Sequence, residues 1–147
     1  MSAPLQRRSA RAILLDDVGR VLLIRFVVPR DGNIFAFWAT PGGTVEMGET
    51  DLEAAQREIS EELAIDLPLI GPVHSSVDRF SHKGVLVENT DIFFAGKLGQ
   101  ERPRLQAALG EERAAMQEMR WWSWEEVDST TETVFPRDLT TLIRRLA

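Results

Sequence analysis

The chain contains no cysteine. Disulfides, thiolate metal sites and cysteine nucleophiles are excluded together. A reducing compartment fits this composition, and a cytoplasmic protein is expected. No apolar run approaches the length of a membrane-spanning helix, so no membrane association is expected. Arg7, Arg8 and Arg11 stand near the N-terminus without an apolar segment of signal-peptide type. Positive charge is not in excess either. The formal net charge is −6, whereas a protein that coats nucleic acid is usually basic. Nucleic-acid binding is therefore not expected, although a local basic groove is compatible with this balance. Internal repeats, low-complexity tracts and interdomain linkers are absent. The two histidines, His74 and His82, stand apart and read as structural or solvated rather than as metal ligands.

What is present is an ordinary globular composition. The 147 residues are 44% hydrophobic and 27% charged, which suits one domain over residues 1–147 with a real core. Ala10 to Leu15 and Val21 to Val28 read as strands joined through a turn at Asp16-Asp17-Val18-Gly19-Arg20, with Arg25 interrupting the second. Pro29 to Asn33 reads as a polar loop. Phe35 to Ala39 is a short aromatic strand that runs into Pro41. Val73 to Phe80 and Val85 to Leu98 form a second pair around Ser81-His82-Lys83-Gly84. Gly99 to Gln117 is charged and weakly helical. Met119 to Trp124 reads as an aromatic strand in which Trp122 faces away from Trp121 and Trp124. An exposed tryptophan on an edge strand there would favour a homodimer. Pro136 suits the first turn of a last helix, in which Leu139, Leu142, Ile143 and Leu146 repeat at helical spacing. Strands with one helix between them and one after them indicate an α/β chain with helices packed on a mixed sheet.

The most informative stretch runs from Gly42 to Ile65. Pro41-Gly42-Gly43 is a turn signal. Thr50 and Glu53 have the spacing of a capping box, which opens a helix over roughly Asp51 to Ala64. Leu52, Ala55, Ile59 and Leu63 recur on one face. Glu58, Glu61 and Glu62, at i, i+3 and i+4, share another. Like charges so placed cost about 0.2–0.5 kcal/mol per pair in a bare helix. Arg57 lies four residues from both Glu53 and Glu61 and offsets part of that. A divalent cation would offset more, because clustered carboxylate oxygens suit a hard ion such as Mg²⁺, which also bridges to substrate phosphates. Taken alone, an acidic helix face is more often simply solvated.

The whole string resembles the Nudix box, G-x5-E-x7-R-E-U-x-E-E-x-G-U, with Gly43, Glu49, Arg57, Glu58, Ile59, Glu61, Glu62 and Ile65 in register. Ala64 stands where the pattern has glycine. A glycine there would end the helix in a left-handed conformation that alanine adopts less readily. The resemblance implies the Nudix fold, an α/β/α sandwich around a mixed β-sheet. It also implies a hydrolase that cleaves a nucleoside diphosphate linked to another group, with Mg²⁺ or Mn²⁺ neutralising charge. By the same resemblance, Glu58, Glu61 and Glu62 bind metal, with Gly42 contributing its carbonyl and Glu49 nearby. Arg57 orients the glutamates, and Glu58 or Glu61 takes the proton from water. Glu88 and Asp91 are the candidates for a base outside the box.

Arg25, Trp38 and Arg79 are the candidates for substrate contact, since arginine suits phosphate and tryptophan suits base stacking. Core packing for Trp38 and surface ion pairing for the arginines compete with that role. Two other functions share the fold. A nucleotide-sensing module without hydrolysis often loses the glutamates, and this chain keeps them. An isomerase of isoprenoid diphosphates typically calls for a cysteine. No second motif selects among oxidised nucleotides, ADP-ribose, dinucleoside polyphosphates, nucleotide sugars and capped RNA ends.

Overall fold

Alternation along the strands divides the core into two halves. The computed structural model describes residues 3–30, 32–106 and 115–146. In it, β1 (Leu5–Leu15) sends Ala10, Ala12 and Leu14 to one side and Ile13 and Leu15 to the other. A period of two does this in any strand buried on both faces. β2 (Val21–Arg30) repeats the division, with Leu22 and Ile24 against Val21 and Leu23.

The remaining elements follow in chain order. They are β3 (Asn33–Ala39), β4 (Gly42–Thr44), α1 (Asp51–Leu63), β5 (Ile70–His82), β6 (Val85–Lys97), β7 (Met116–Trp122), α2 (Trp124–Ser129), β8 (Val134–Phe135) and α3 (Leu139–Leu146). The strands form one sheet in the order β5-β6-β1-β2-β3-β8, with β4 also paired to β1 and β7 to β2. β1 runs parallel to β6 along its whole length, and β3 is parallel to β8; the other pairings are antiparallel.

Helix α1 covers one face. Its Ala54, Ala55, Ile59 and Leu63 pack on Ala12, Leu14, Ile24, Ile92 and Phe94. Helix α3 covers the other face, where Leu139, Leu142 and Ile143 meet Ile13, Leu23, Phe93 and Trp122. The architecture is the expected α/β/α sandwich around a mixed sheet. Each such leucine or isoleucine side chain contributes roughly 1.5–3 kcal/mol by leaving water. Among the described residues no helix is long and apolar enough to cross a membrane.

Several boundaries differ from the sequence reading. β1 and β2 extend further than their apolar runs, to Leu5 and Arg30, because β6 and β3 supply backbone partners along them. Of the expected loop at 29–33, Pro29, Arg30 and Asn33 therefore lie in strands, and residue 31 lies outside the described residues. Residues 99–106 are not helical, Met116 and Gln117 belong to β7, and 107–114 lie outside the described residues. β7 ends at Trp122, because Ser123 and Glu126 form a capping box that starts α2. Trp124 is thus a helical residue under Arg144, and it does not alternate with Trp122 on a strand. Pro136 precedes the last helix instead of opening it, and its carbonyl accepts from Leu139 N at 3.1 Å. Leu52 is also exposed, so the buried face of α1 is rotated toward Glu58 and Glu62.

Candidate active site

The site grows from the place where β4 meets α1. Thr50 caps the helix: its hydroxyl accepts from Glu53 N at 3.1 Å, and Thr50 N donates to Glu53 Oε1 at 2.9 Å. This capping box sets where α1 begins and hence which residues face β4. Gly42 and Gly43 pair in antiparallel register with Arg11 and Ala10 of β1. Gly42 has φ +148°, outside the range that side chains tolerate. Its N–H donates to Glu62 Oε1 at 2.9 Å. Gly43 lacks the methyl that would stand 2.7 Å from the Glu58 carboxyl carbon. Two glutamates one helical turn apart are thus drawn against a backbone without side chains. Both are buried, Glu58 at 7% and Glu62 at 3% exposed, which is far from a solvated face.

Arg57 supplies the compensating charge. Its Nε and Nη2 form a fork on Glu49, at 2.7 and 3.0 Å. Its Nη1 donates to Glu58 at 2.9 Å and to Glu61 at 3.2 Å, and Nη2 also donates to the carbonyl of Thr44 at 3.1 Å. Such charge-assisted, bidentate bonds orient as well as stabilise. They hold the Arg57 guanidinium pKa above its ordinary value, chiefly through Glu49, and the Glu49 carboxyl below its own, chiefly through Arg57.

The donor set is all oxygen and strongly anionic, which is the chemistry of a hard divalent cation. Among the described residues, no three acidic or histidine side chains already form a cluster that could hold a metal ion. The glutamates are held by Arg57 and by the glycine backbone, so the donors fit Mg²⁺ or Mn²⁺ in chemistry without forming a finished cage.

A cleft of about 530 Å³ adjoins this region. Arg11 connects the two: its backbone pairs with Gly42, while its side chain lines the cleft and donates to the Thr40 carbonyl at 3.1 Å. Asp91 also lines the cleft and bonds Arg11 Nε at 3.1 Å. Asp91 therefore faces the cleft, whereas Glu88 is paired with Arg79 at 2.7 Å.

The three expected substrate contacts do not come together. Trp38 is 2% exposed, lies edge-on to Trp122 with centroids 5.1 Å apart, and donates its indole N–H to Glu132 at 3.2 Å. It is a core residue with no face free for a base. Arg79 holds Glu88 on the exposed β5–β6 hairpin. Arg25 sits in mid-strand opposite Trp38 and Glu118. None of the three lines the cleft. The residues that do, Ser9, Arg11 and Asn89 among them, were not singled out in the sequence. Their only signal in sequence was polar residues set into otherwise apolar strands.

A sheet of mixed pairing between two helical layers, with a glutamate-bearing helix that follows the glycine strand β4, is the arrangement the Nudix resemblance implied. The family model described as NUDIX domain matches residues 5–143, and the chain belongs to that family. An uncharacterised Nudix hydrolase of Yersinia pestis is 38% identical over 61 residues, which are 42% of this chain and 34% of that protein. The match thus spans about a third of the relative's length. Among solved structures, a MutT protein from Methanosarcina mazei superposes with a TM-score of 0.71 at 21% identity, covering 99% of this chain and 95% of the other. The dihydroneopterin triphosphate pyrophosphohydrolase of E. coli gives 0.69 at 22% identity, covering 97% of each chain. At those identities the likeness is one of fold.

Proposed function

We propose that this protein is a metal-dependent pyrophosphohydrolase that cleaves a nucleoside diphosphate linked to another group. The observation that carries the reading is the Arg57 arrangement, in which one guanidinium holds Glu49, Glu58 and Glu61 beside the Gly42-Gly43 backbone of β4. A solvated acidic face has no reason to bury two of its glutamates against glycine.

Glu58, Glu61 and Glu62 would hold Mg²⁺ or Mn²⁺, with the Gly42 carbonyl and Glu49 as further oxygen donors. The bound cation would supply charge neutralisation at the phosphoryl oxygens, the main demand of this chemistry. The protein's own groups position and accept. Arg57 fixes the carboxylate directions. Glu58 or Glu61 takes the proton from the attacking water. The cleft takes the nucleoside end of the substrate.

A hydrolysis screen over nucleotides, dinucleoside polyphosphates and nucleotide sugars, with Mg²⁺ and with Mn²⁺, tests the reading through phosphate or pyrophosphate release. Cleavage of at least one substrate, abolished by chelator, is expected. Tight binding of a nucleotide without turnover under either metal would overturn it in favour of a sensing module.

A further inference from the structure

Two walls of the cleft meet at His74. Ser76, Asp78 and Phe80 of β5 line one wall, and Phe135, Pro136, Arg137 and Asp138 line the other. His74 stands on the same face of β5 as Ser76 and Asp78, because side chains alternate along a strand. Its ring packs on Phe93, which also lines the cleft, with centroids 5.6 Å apart. Its Nε2 lies 3.1 Å from Asp138 Oδ2. Beside this contact, Arg145 of α3 donates to the Val73 carbonyl at 3.1 Å. Two contacts of different kinds thus join β5 to the chain around α3 at one end of the cleft.

The two contacts respond differently to pH. A guanidinium stays charged, so the Arg145 bond persists. The His74 contact lacks hydrogen-bond geometry: its buried Nε2 has no hydrogen-bond partner among the described residues, although Asp138 is at contact distance. A neutral ring therefore gains no directional bond there, whereas an imidazolium gains the attraction of the carboxylate. Histidine is the side chain that changes charge between about pH 5 and 8. The other charges around it do not replace Asp138. Asp78 on β5 and Asp91 on β6 share its face of the sheet, and Arg11 holds Asp91. Arg137 lines the cleft beside Asp138 and lies over the Phe135 ring. The strand pairing is also weakest here. Ile70 pairs with Ala95 and His74 with Phe93, so residues 71–73 stand opposite Phe94 alone. Such an irregularity breaks the ladder and lets a strand bend.

We infer that His74 and Asp138 form a pH-sensitive clasp that sets the width of the cleft. In mild acid the imidazolium holds Asp138 and draws the β5 wall to the wall formed by residues 135–138. As pH rises through the histidine range, that attraction is lost. Arg145 keeps Val73 in place, so β5 pivots at the irregular pairing instead of detaching, and the stretch from Asp78 to Phe80 swings outward. The side chain of Asp138 is 51% exposed, so added salt also weakens the clasp. The clasp concerns the shape of the cleft and does not depend on what the cleft binds.

The test measures the distance between the walls. The chain has no cysteine, so two introduced cysteines carry the only labels. Ser81→Cys lies near the far end of β5 and Thr141→Cys on α3, and both positions are exposed. Nitroxides attached there are read by pulsed electron paramagnetic resonance at about pH 5.5 and about pH 8.5, either side of the histidine range. The mean distance should be longer and its distribution broader at the higher pH. His74→Gln and Asp138→Asn, each made in the labelled chain, should give the longer distance at both. His82→Gln, which removes the other histidine, should leave the response intact. Melting temperatures give a second readout. Each clasp substitution should lower the melting temperature at the acid pH and leave it unchanged at the alkaline one, and the double variant should lose no more than either single one. A distance that is the same at both pH values in the parent overturns the inference. So does a pH response that survives His74→Gln, or one that His82→Gln abolishes. If one clasp variant fails to fold, the other decides.

Discussion

A methyl group placed on Gly43 would stand 2.7 Å from the carboxyl carbon of Glu58. The group in the way is the far end of a flexible side chain, so it can move. Gly43→Ala should therefore fold with a stability change within about 1 kcal/mol, while Glu58 swings off Arg57 and turnover falls. Gly42→Ala is expected to behave differently. Its methyl would collide with the Ala10 carbonyl and the Arg11 backbone, at a φ of +148°. Fixed backbone cannot yield, so a loss of roughly 1–3 kcal/mol or more is expected. Denaturant midpoints alongside activity separate the two. Equal destabilisation by both substitutions would show that Glu58 is as immovable as backbone.

Ala64 closes α1 with φ +57° and ψ +35°. It holds the left-handed conformation that the family pattern gives to glycine. The strain of an alanine there is roughly 1–2 kcal/mol, against which glycine costs the unfolded chain's extra freedom. Ala64 is exposed, so its methyl packs on little. Ala64→Gly should raise the urea midpoint by a net gain under about 1 kcal/mol. A lowered midpoint would refute the strain.

Arg8 donates to both oxygens of Asp51, at 2.7 and 2.6 Å. These bonds hold the Asp51 carboxyl below its ordinary range, against a smaller opposing effect of burial. An unfolded aspartate titrates near about 3.9. Through that region the unfolded chain binds more protons than the folded one, so stability rises with pH there. The contribution of Asp51 is complete above about pH 4 and is lost as pH falls through the folded value. Asp51→Asn should lower the urea midpoint at pH 7, and the gap to the parent should narrow below pH 4. A gap that stays constant down to pH 2 would exclude this linkage.

The Thr50–Glu53 capping box and the Arg57–Glu62 string were legible because a helix is a local object. Its start, its direction and its carboxylate spacing are set by residues within a few positions. The mixed sheet with packed helices was legible from strands with one helix between them and one after them, whereas a helix on each face came only with the family resemblance. What could not be read was long-range pairing. Ser9, Arg11, Asn89 and Asp91 become neighbours only through the parallel register of β1 and β6, and nothing local announces a parallel partner. Trp38 misled for a related reason. It is close to Pro41 in sequence, yet strand alternation turns it into the half of the core that holds Trp122. Nearness along the chain says little about facing.

Glutamine keeps the shape of glutamate and removes its charge, which makes Glu→Gln the sharpest test of the acidic helix. If Glu58, Glu61 and Glu62 hold the cation, each change should leave the fold intact. Repulsion between neighbours falls, while Arg57 keeps Glu49 as its principal partner. Turnover should fall by roughly 10²-fold or more, the scale on which an electrostatic or acid–base group counts. Glu53→Gln is the control on the same helix. Glutamine still offers an oxygen to Thr50 N, so the capping box survives, and activity should be nearly unchanged. The site reading thus predicts three losses and one neutral change. A solvated acidic face predicts four neutral changes, and kcat for all four variants on one substrate decides between them.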